Sequence, residues 1–269
     1  MDLHTVTEVV SPARVGDWRP GDTWLGGGTA LFGQPHPPPV TRLLDLAAAG
    51  WPAFTVHEDG LEIAATCTVA EVFEFSGAPR FEAFHGIAKG CCSAFLASFK
   101  IWNVATVGGN LCAALPAGPM IALTAALDGV CLIQGPDGDR RVPVLDFVTG
   151  DGTTVLRDGE LLRSVHLPAA ALTGVTTYRQ GSLHPHGRSA ALLIGRRDAG
   201  GGLVITVTAA TGRPHQLVFP APPDAGMLQV ALAERIGAPD YVDDVHGLPA
   251  WRRHLTRRYA EEIRTELAG

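Results

Sequence analysis

Lysine is the scarcest charged residue, with only Lys89 and Lys100 among 21 basic side chains, and nothing in the sequence explains the bias. The five cysteines (Cys67, Cys91, Cys92, Cys112 and Cys131) include no C-x-x-C pair. The chain therefore cannot supply the four spaced thiolates of an iron–sulfur cluster, and the residues read as buried, reduced thiols. Although 46% of the residues are hydrophobic, no uninterrupted apolar run approaches the ~18–20 residues that cross a bilayer, so no membrane span is expected. The start, Met1-Asp2-Leu3-His4, has no basic stretch leading into an apolar one. A secretory signal is not expected, and the cytoplasm is the expected location. Positive charge is short where a nucleic acid would need it. The net charge is −6, and residues 1–165 carry 10 basic against 18 acidic side chains, whereas residues 166–269 carry 11 against 9. An acidic first part argues against nucleic acid as a partner. Two nucleotide signatures are missing as well: no Gly-Lys-Ser/Thr closes a phosphate loop, and no G-x-G-x-x-G opens a dinucleotide fold.

The sequence does contain two glycine clusters. One is Trp24-Leu25-Gly26-Gly27-Gly28-Thr29-Ala30-Leu31-Phe32. The other, Ala105-Thr106-Val107-Gly108-Gly109-Asn110-Leu111, lies between Ser98–Val104 and the proline-containing Leu115–Pro119. Glycine turns let the backbone approach a ligand and present N–H groups with no Cβ in the way. An anion such as phosphate satisfies several such donors at once. Asn110 adds a side chain that donates and accepts. Two separated turns of this kind are able to clamp a pyrophosphate from both sides.

Along the chain the expected elements alternate. Thr23–Gly26 reads as a strand and Leu31–Gly33 as a brief helical turn, while the four prolines of Gln34–Pro39 mark an extended loop. Arg42–Leu46 is a strand, and Phe54–His57 with Leu61–Ala64 flank a hairpin at Glu58-Asp59-Gly60. Thr68 caps a helix through Phe75, with Glu71 at the capping-box position. One buried helix is expected from Phe81 to Phe99 and another at Met120–Leu127, followed by strands at Val130–Gln134 and Leu161–Leu167. Beyond a boundary at Pro168–Thr173, four strands (Thr176–Gln180, Ala190–Arg196, Leu203–Ala209 and Gln216–Phe219) precede two helices, Met227–Ile236 and Trp251–Leu267. The fold class is α+β, in two domains, with a smaller C-terminal α+β domain at 174–269. Arg252-Arg253 and Arg257-Arg258 read as a solvated helix face, and Asp243-Asp244 and Glu261-Glu262 as solvated pairs.

Gly26-Gly27-Gly28-Thr29-Ala30-Leu31 resembles the "A-G-G-T-D-L" loop of the FAD-binding medium subunits of molybdenum hydroxylases, the carbon monoxide dehydrogenase and xanthine dehydrogenase group. Asn103–Leu111 is similar to that family's "N-x-A-T-I-G-G-N-I". Leu61–Thr68, Val142–Phe147 with Glu160-Leu161-Leu162, and Trp251-Arg252-Arg253-His254-Leu255 resemble further family segments, so the likeness runs almost end to end. It departs at Pro119, where the family commonly has Asp, at Ala30 in the first loop, and at Trp102 in place of Arg.

The resemblance implies a two-part, PCMH-type FAD-binding domain over residues 1–167, with subdomains at about 1–60 and 61–167. It implies FAD as cofactor, with the molybdenum cofactor and [2Fe-2S] clusters on partner subunits. The cofactor would be held by Leu25, Gly26, Gly27, Gly28, Thr29, Ala30 and Leu31 and by Thr106, Gly108, Gly109 and Asn110. Leu161 would pack near the flavin ring and Arg179 would bring it a positive charge. No catalytic side chain and no metal site is expected in this chain. The implied role is an electron-transfer subunit in a dimer of heterotrimers, with an iron–sulfur small subunit, a molybdenum large subunit, and NAD, a quinone or oxygen as acceptor. A stand-alone FAD-dependent oxidoreductase and a flavin-free binding or assembly module stay open beside it. His184-Pro185-His186 is read as a loop over the flavin or at a subunit contact rather than a metal pair.

Overall fold

The computed structural model describes residues 3–11, 13–33 and 40–269, so the proline-rich segment expected to be extended, Gln34–Pro39, lies outside the described residues. Three short strands open the chain: β1 (Glu8–Val10), β2 (Thr23–Leu25) and β3 (Arg42–Asp45). They form a sheet in the order β1-β3-β2 with both pairs parallel. Arg42 of β3 is 8% exposed and faces Asp22 at 3.2 Å and Glu8 at 3.4 Å, which ties the three strands together at one point.

A hairpin follows, β4 (Phe54–His57) and β5 (Gly60–Ala64). The Thr68 hydroxyl caps α1 (Val69–Glu74) by accepting from Glu71 N–H, and the Glu71 carboxylate accepts from Thr68 N–H at 2.7 Å. Where one long helix was expected, the chain makes two, α2 (Glu82–Ala94) and α3 (Phe99–Trp102). The helix ends where Phe95 N–H turns back to Cys92 O at 3.0 Å, and the Trp102 indole N–H then donates to Phe95 O at 3.1 Å, pinning the break. No glycine or proline stands at Phe95–Ser98, so the break has a tertiary cause.

The next elements are α4 (Val107–Ala113), α5 (Pro119–Ala126), β6 (Val130–Gln134), β7 (Arg140–Pro143), α6 (Val144–Phe147) and the small hairpin of β8 (Val148–Gly150) and β9 (Thr153–Thr154). Then come β10 (Leu161–Pro168) and α7 (Ala169–Leu172). A five-stranded antiparallel sheet in the order β4-β5-β10-β6-β7 carries this part, and every residue of α5 is buried.

The last part is a four-stranded antiparallel meander, β11 (Val175–Gly181), β12 (Ala191–Arg197), β13 (Leu203–Thr208) and β14 (His215–Phe219), followed by α8 (Ala225–Arg235) and α9 (Pro249–Ala268). Helices α2 and α5 pack on the meander, and so does α9. Strand alternation divides β12 between two apolar clusters: Leu192 and Ile194 join the cluster containing α2 and α5, and Leu193 joins the one containing α9. Glycines set the closest contacts. A Cβ on Gly195 would stand 2.2 Å from Ile263 of α9, and one on Gly90 of α2 would stand 2.5 Å from the Tyr178 ring.

One expectation fails here. Arg252 is not on a solvated face but is 1% exposed. Its guanidinium donates to Gly247 O, Ala190 O, Ala209 O and the Asp244 carboxylate. The register of α9, whose buried positions are Arg252, Leu255, Thr256, Ala260, Ile263 and Leu267, turns this arginine inward. Asp244 is correspondingly no free acid. Burial works to raise its pKa, but the His246 N–H and the Arg252 charge hold it below the usual carboxylate range.

Candidate functional site

The first glycine cluster leaves the end of β2 and turns across the start of the second. A Cβ on Gly27 would stand 1.6 Å from Val104 O, so only glycine lets the two segments touch. Gly28 has φ +71°, a left-handed conformation, and the Phe32 ring fills the place of its missing side chain, 2.7 Å from where a Cβ would be. Gly26 approaches the Thr106 hydroxyl. Among the described residues, the N–H groups of Gly27, Gly28 and Thr29 meet no backbone or side-chain acceptor. Three adjacent open donors are what an anion recruits.

The second cluster is not a loop but the first turn of α4, and its donors are already used. Val107 N–H goes to Cys67 O and Gly108 N–H to Ala65 O, both at 2.8 Å. Gly109 N–H goes to the capping Thr106 Oγ1 at 3.0 Å. Thr106 thereby accepts through its oxygen and keeps its hydroxyl proton to donate. Gly108 is a packing glycine, because a Cβ there would fall 2.5 Å from the Cβ of Ala65. Asn110 acts one step behind: its Oδ1 accepts from Met120 N–H at 3.0 Å and so caps α5, whose first residue is Pro119.

Around this junction the surface is hollow. A groove of about 400 Å³ runs along Leu25–Leu31, Thr106, Gly109 and Leu115. An adjoining cavity of about 190 Å³ is walled by Gly108, Leu156, Leu161 and Leu162, with Trp24 and Cys112 bordering both spaces. A trough of about 400 Å³ leaves Gly26 and Gly27 past Thr66, Thr68, Asn103 and Val104. Glu160 borders the smaller cavity and is held in a bidentate pair with Arg140, both contacts at 2.7 Å. That pair, acting with the Arg157 N–H against burial, keeps its carboxyl below the usual range. The Trp24 indole N–H is shut from solvent and has no acceptor among the described residues.

The structure thus brings Leu25, Gly26, Gly27, Gly28, Thr29, Ala30, Leu31, Thr106, Gly108, Gly109 and Leu161 to the walls of two adjoining spaces. Asn110 braces them from outside. Arg179 is not brought there. Its guanidinium is committed to Glu262 at 3.0 Å and Glu266 at 2.5 Å on α9. Strand alternation gives the reason: Thr176 and Tyr178 of β11 face α2, so Arg179 points to the opposite face. His184 and His186 are exposed, and no group of three or more His, Cys, Asp or Glu among the described residues is placed to hold a metal. All five cysteines are free thiols; four are buried, and Cys112 is exposed on the groove wall. Sequence reasoning missed Trp24, Trp51, Thr66 and Cys112 as wall residues. Trp24 had a signal in its place beside the glycines, whereas the others reach the site only through long-range folding.

No helix among the described residues is long and apolar enough to cross a membrane. In the solved structures, quinoline 2-oxidoreductase from Pseudomonas putida 86 matches the whole chain over its own whole length, with a TM-score of 0.79 at 18% identity. Carbon monoxide dehydrogenase from Hydrogenophaga pseudoflava matches 98% of this chain and 96% of its own, with a TM-score of 0.77 at 17% identity. These likenesses show the α+β fold. In sequence, the xanthine dehydrogenase FAD-binding subunit of Escherichia coli is 32% identical over 148 residues, 54% of this chain and 49% of that protein. The carbon monoxide dehydrogenase medium chain of Hydrogenophaga pseudoflava is 30% identical over 76 residues, 28% of this chain and 26% of that one. The matched part thus spans about half the length of the first of these relatives and less of the second. The sequence model of the FAD binding domain in molybdopterin dehydrogenase matches residues 20–170, which take in both glycine clusters and the walls around them, and the chain belongs to that family.

Proposed function

We propose that the chain is the FAD-binding electron-transfer subunit of a molybdenum hydroxylase-type oxidoreductase. It works in the cytoplasm with an iron–sulfur small subunit and a molybdenum large subunit, in a dimer of heterotrimers. FAD is the cofactor for which the family is named. When bound, it supplies the redox chemistry, taking electrons from the partner's clusters and passing them to NAD, a quinone or oxygen. Residues 1–167 form the FAD-binding part and 174–269 the C-terminal part. In this reading Leu25 to Leu31 would hold the diphosphate, the Thr106 hydroxyl would hydrogen-bond to it as a donor, and Gly109 would leave room beside it. Leu161 forms part of an apolar wall for the flavin. No side chain of this chain needs to act as nucleophile, acid or base.

One observation supports this above the others: Gly27 to Thr29 line a groove at a junction that only glycine can build, and among the described residues their three N–H groups meet no acceptor. The test is to incubate the purified chain with FAD, remove the excess by gel filtration, record the visible spectrum, and then mix the chain with candidate partner subunits. A retained flavin band and copurification with an iron–sulfur protein support the proposal. A folded, colourless chain contradicts the cofactor. A flavin-loaded chain that oxidises a small organic substrate unaided contradicts the electron-transfer role.

A further inference from the structure

Two spaces diverge from the first glycine turn, and they differ in their walls. The 190 Å³ cavity is mostly apolar, with Leu156, Leu161 and Leu162 in its wall beside Trp24 and with the Arg140-paired Glu160 at its border. The trough that leaves Gly26 and Gly27 in the other direction contains a single aromatic residue, Trp51, flanked by Ala47 and Ala53, whose small side chains take little of the space beside it. Thr66, Thr68, Glu71 and Asn103 supply the polar groups of the same wall. A further groove of about 450 Å³ reaches the same Trp51 from Arg14 and Gly16. Trp51 is also fixed in place. The Arg163 guanidinium lies 4.0 Å from its ring centroid, and the ring packs against the main apolar cluster. A cation over one face holds the indole in a single orientation.

FAD carries an aromatic ring on each side of its diphosphate, whereas FMN carries only the flavin. With the diphosphate at Gly27–Thr29, the apolar cavity suits one ring and leaves the trough for the other. We propose that Trp51, braced by Arg163, is the stacking platform for the adenine ring, and that it makes the chain select the dinucleotide over the mononucleotide. This rests on the FAD reading above. Thr66 and Asn103, in the wall of the same trough, would be the hydrogen-bond partners for the ribose hydroxyls. Aromatic stacking on a base suits a site that must grip a flat, weakly polar ring with few hydrogen bonds.

The experiment is a fluorescence titration of the full chain, and of Trp51→Ala and Trp51→Phe chains, with FAD and separately with FMN. The wild-type chain binds FAD more tightly than FMN. Trp51→Ala weakens FAD by about 5- to 100-fold, the span that base–aromatic stacking covers, and leaves FMN affinity unchanged. Trp51→Phe recovers most of the loss. An unchanged FAD affinity in Trp51→Ala overturns the inference alone. So does an equal loss for FAD and FMN, since that marks general damage to the site. A folded wild-type chain that takes up no FAD overturns the cofactor reading and this inference with it.

Discussion

Polar groups are treated in opposite ways in two regions of the molecule. On both faces of the four-stranded meander, buried charge is fully engaged: beneath α9, Arg252 donates to three carbonyls and Asp244, and on the α5 side Arg196, 3% exposed, donates to Ala126 O, Asp128 and Asp198. Around β2, donors are left open: the amides of Gly27, Gly28 and Thr29 and the buried indole N–H of Trp24. A buried donor without a partner costs about 1–3 kcal/mol, a cost that falls here on the Trp24 indole N–H, while the amides belong to the half-buried Gly27 and Gly28 and the exposed Thr29, which water reaches. The paired region is scaffold, and the open donors around β2 lie where the proposed cofactor would bind.

The sharpest way to break this contrast is to remove the best-paired charge. Arg252→Leu strands three buried carbonyls and the Asp244 carboxylate, and is expected to lower unfolding free energy by about 3–5 kcal/mol in a denaturant titration. A loss below about 1 kcal/mol would remove Arg252 from the scaffold.

His215 is the exception on the paired side: it is 3% exposed and its Nε2 has no partner. Burial, opposed by Asp240 and aided by Arg213 and Arg235, lowers its pKa from 6.5 to about 4. The folded chain therefore keeps it neutral over a range where the unfolded chain protonates it. Its contribution is complete above pH 6.5 and is lost as the pH falls towards 4, about 3 kcal/mol in all, by the usual ~1.4 kcal/mol per pH unit. His215→Leu should flatten that part of a stability-against-pH curve, and an unaltered slope would place the titrating group elsewhere.

Gly27→Ala acts on the open side, where its Cβ has no place beside Val104 O. We expect about 1–3 kcal/mol of destabilisation together with loss of FAD retention on gel filtration. Retention at wild-type affinity would break the link between the junction and the cofactor. The smallest effect belongs to Arg179→Ala. Its ion pairs are partly exposed, so the cost is under about 1 kcal/mol in thermal melts, with FAD affinity unchanged. A weakened FAD affinity there would return Arg179 to the flavin.

Much of the scaffold was legible because local chemistry decided it. Thr68 and Glu71 announce a capped helix, and Glu58-Asp59-Gly60 a hairpin, and both form. The position of Arg252 was also readable, since Leu255, Ala260, Ile263 and Leu267 give the buried stripe of α9 on which it falls. The pairing of adjacent arginines suggested solvent instead. What could not be read was decided by distant residues. Gly108 and Gly109 look like a loop, but Thr106 caps them into a helix and Ala65 fills the place of the Gly108 side chain. The helix break after Ala94 depends on Trp102 reaching back to Phe95. The candidate site shows the same limit. Both glycine clusters were visible, yet only the fold shows that the amides of Gly27 to Thr29 are open while those of Val107 to Gly109 are engaged, which leaves the second cluster the Thr106 hydroxyl to offer.

Residue-resolved hydrogen exchange, with and without FAD, tests that difference directly. The account predicts that FAD slows exchange at Gly27, Gly28 and Thr29. It also predicts little change at Val107, Gly108 and Gly109, whose N–H groups are already bound to Cys67 O, Ala65 O and Thr106 Oγ1. If FAD binds while the Gly27–Thr29 amides exchange as fast as before, or if protection appears around Arg179 instead, the diphosphate is not held by the first glycine turn and the account is wrong.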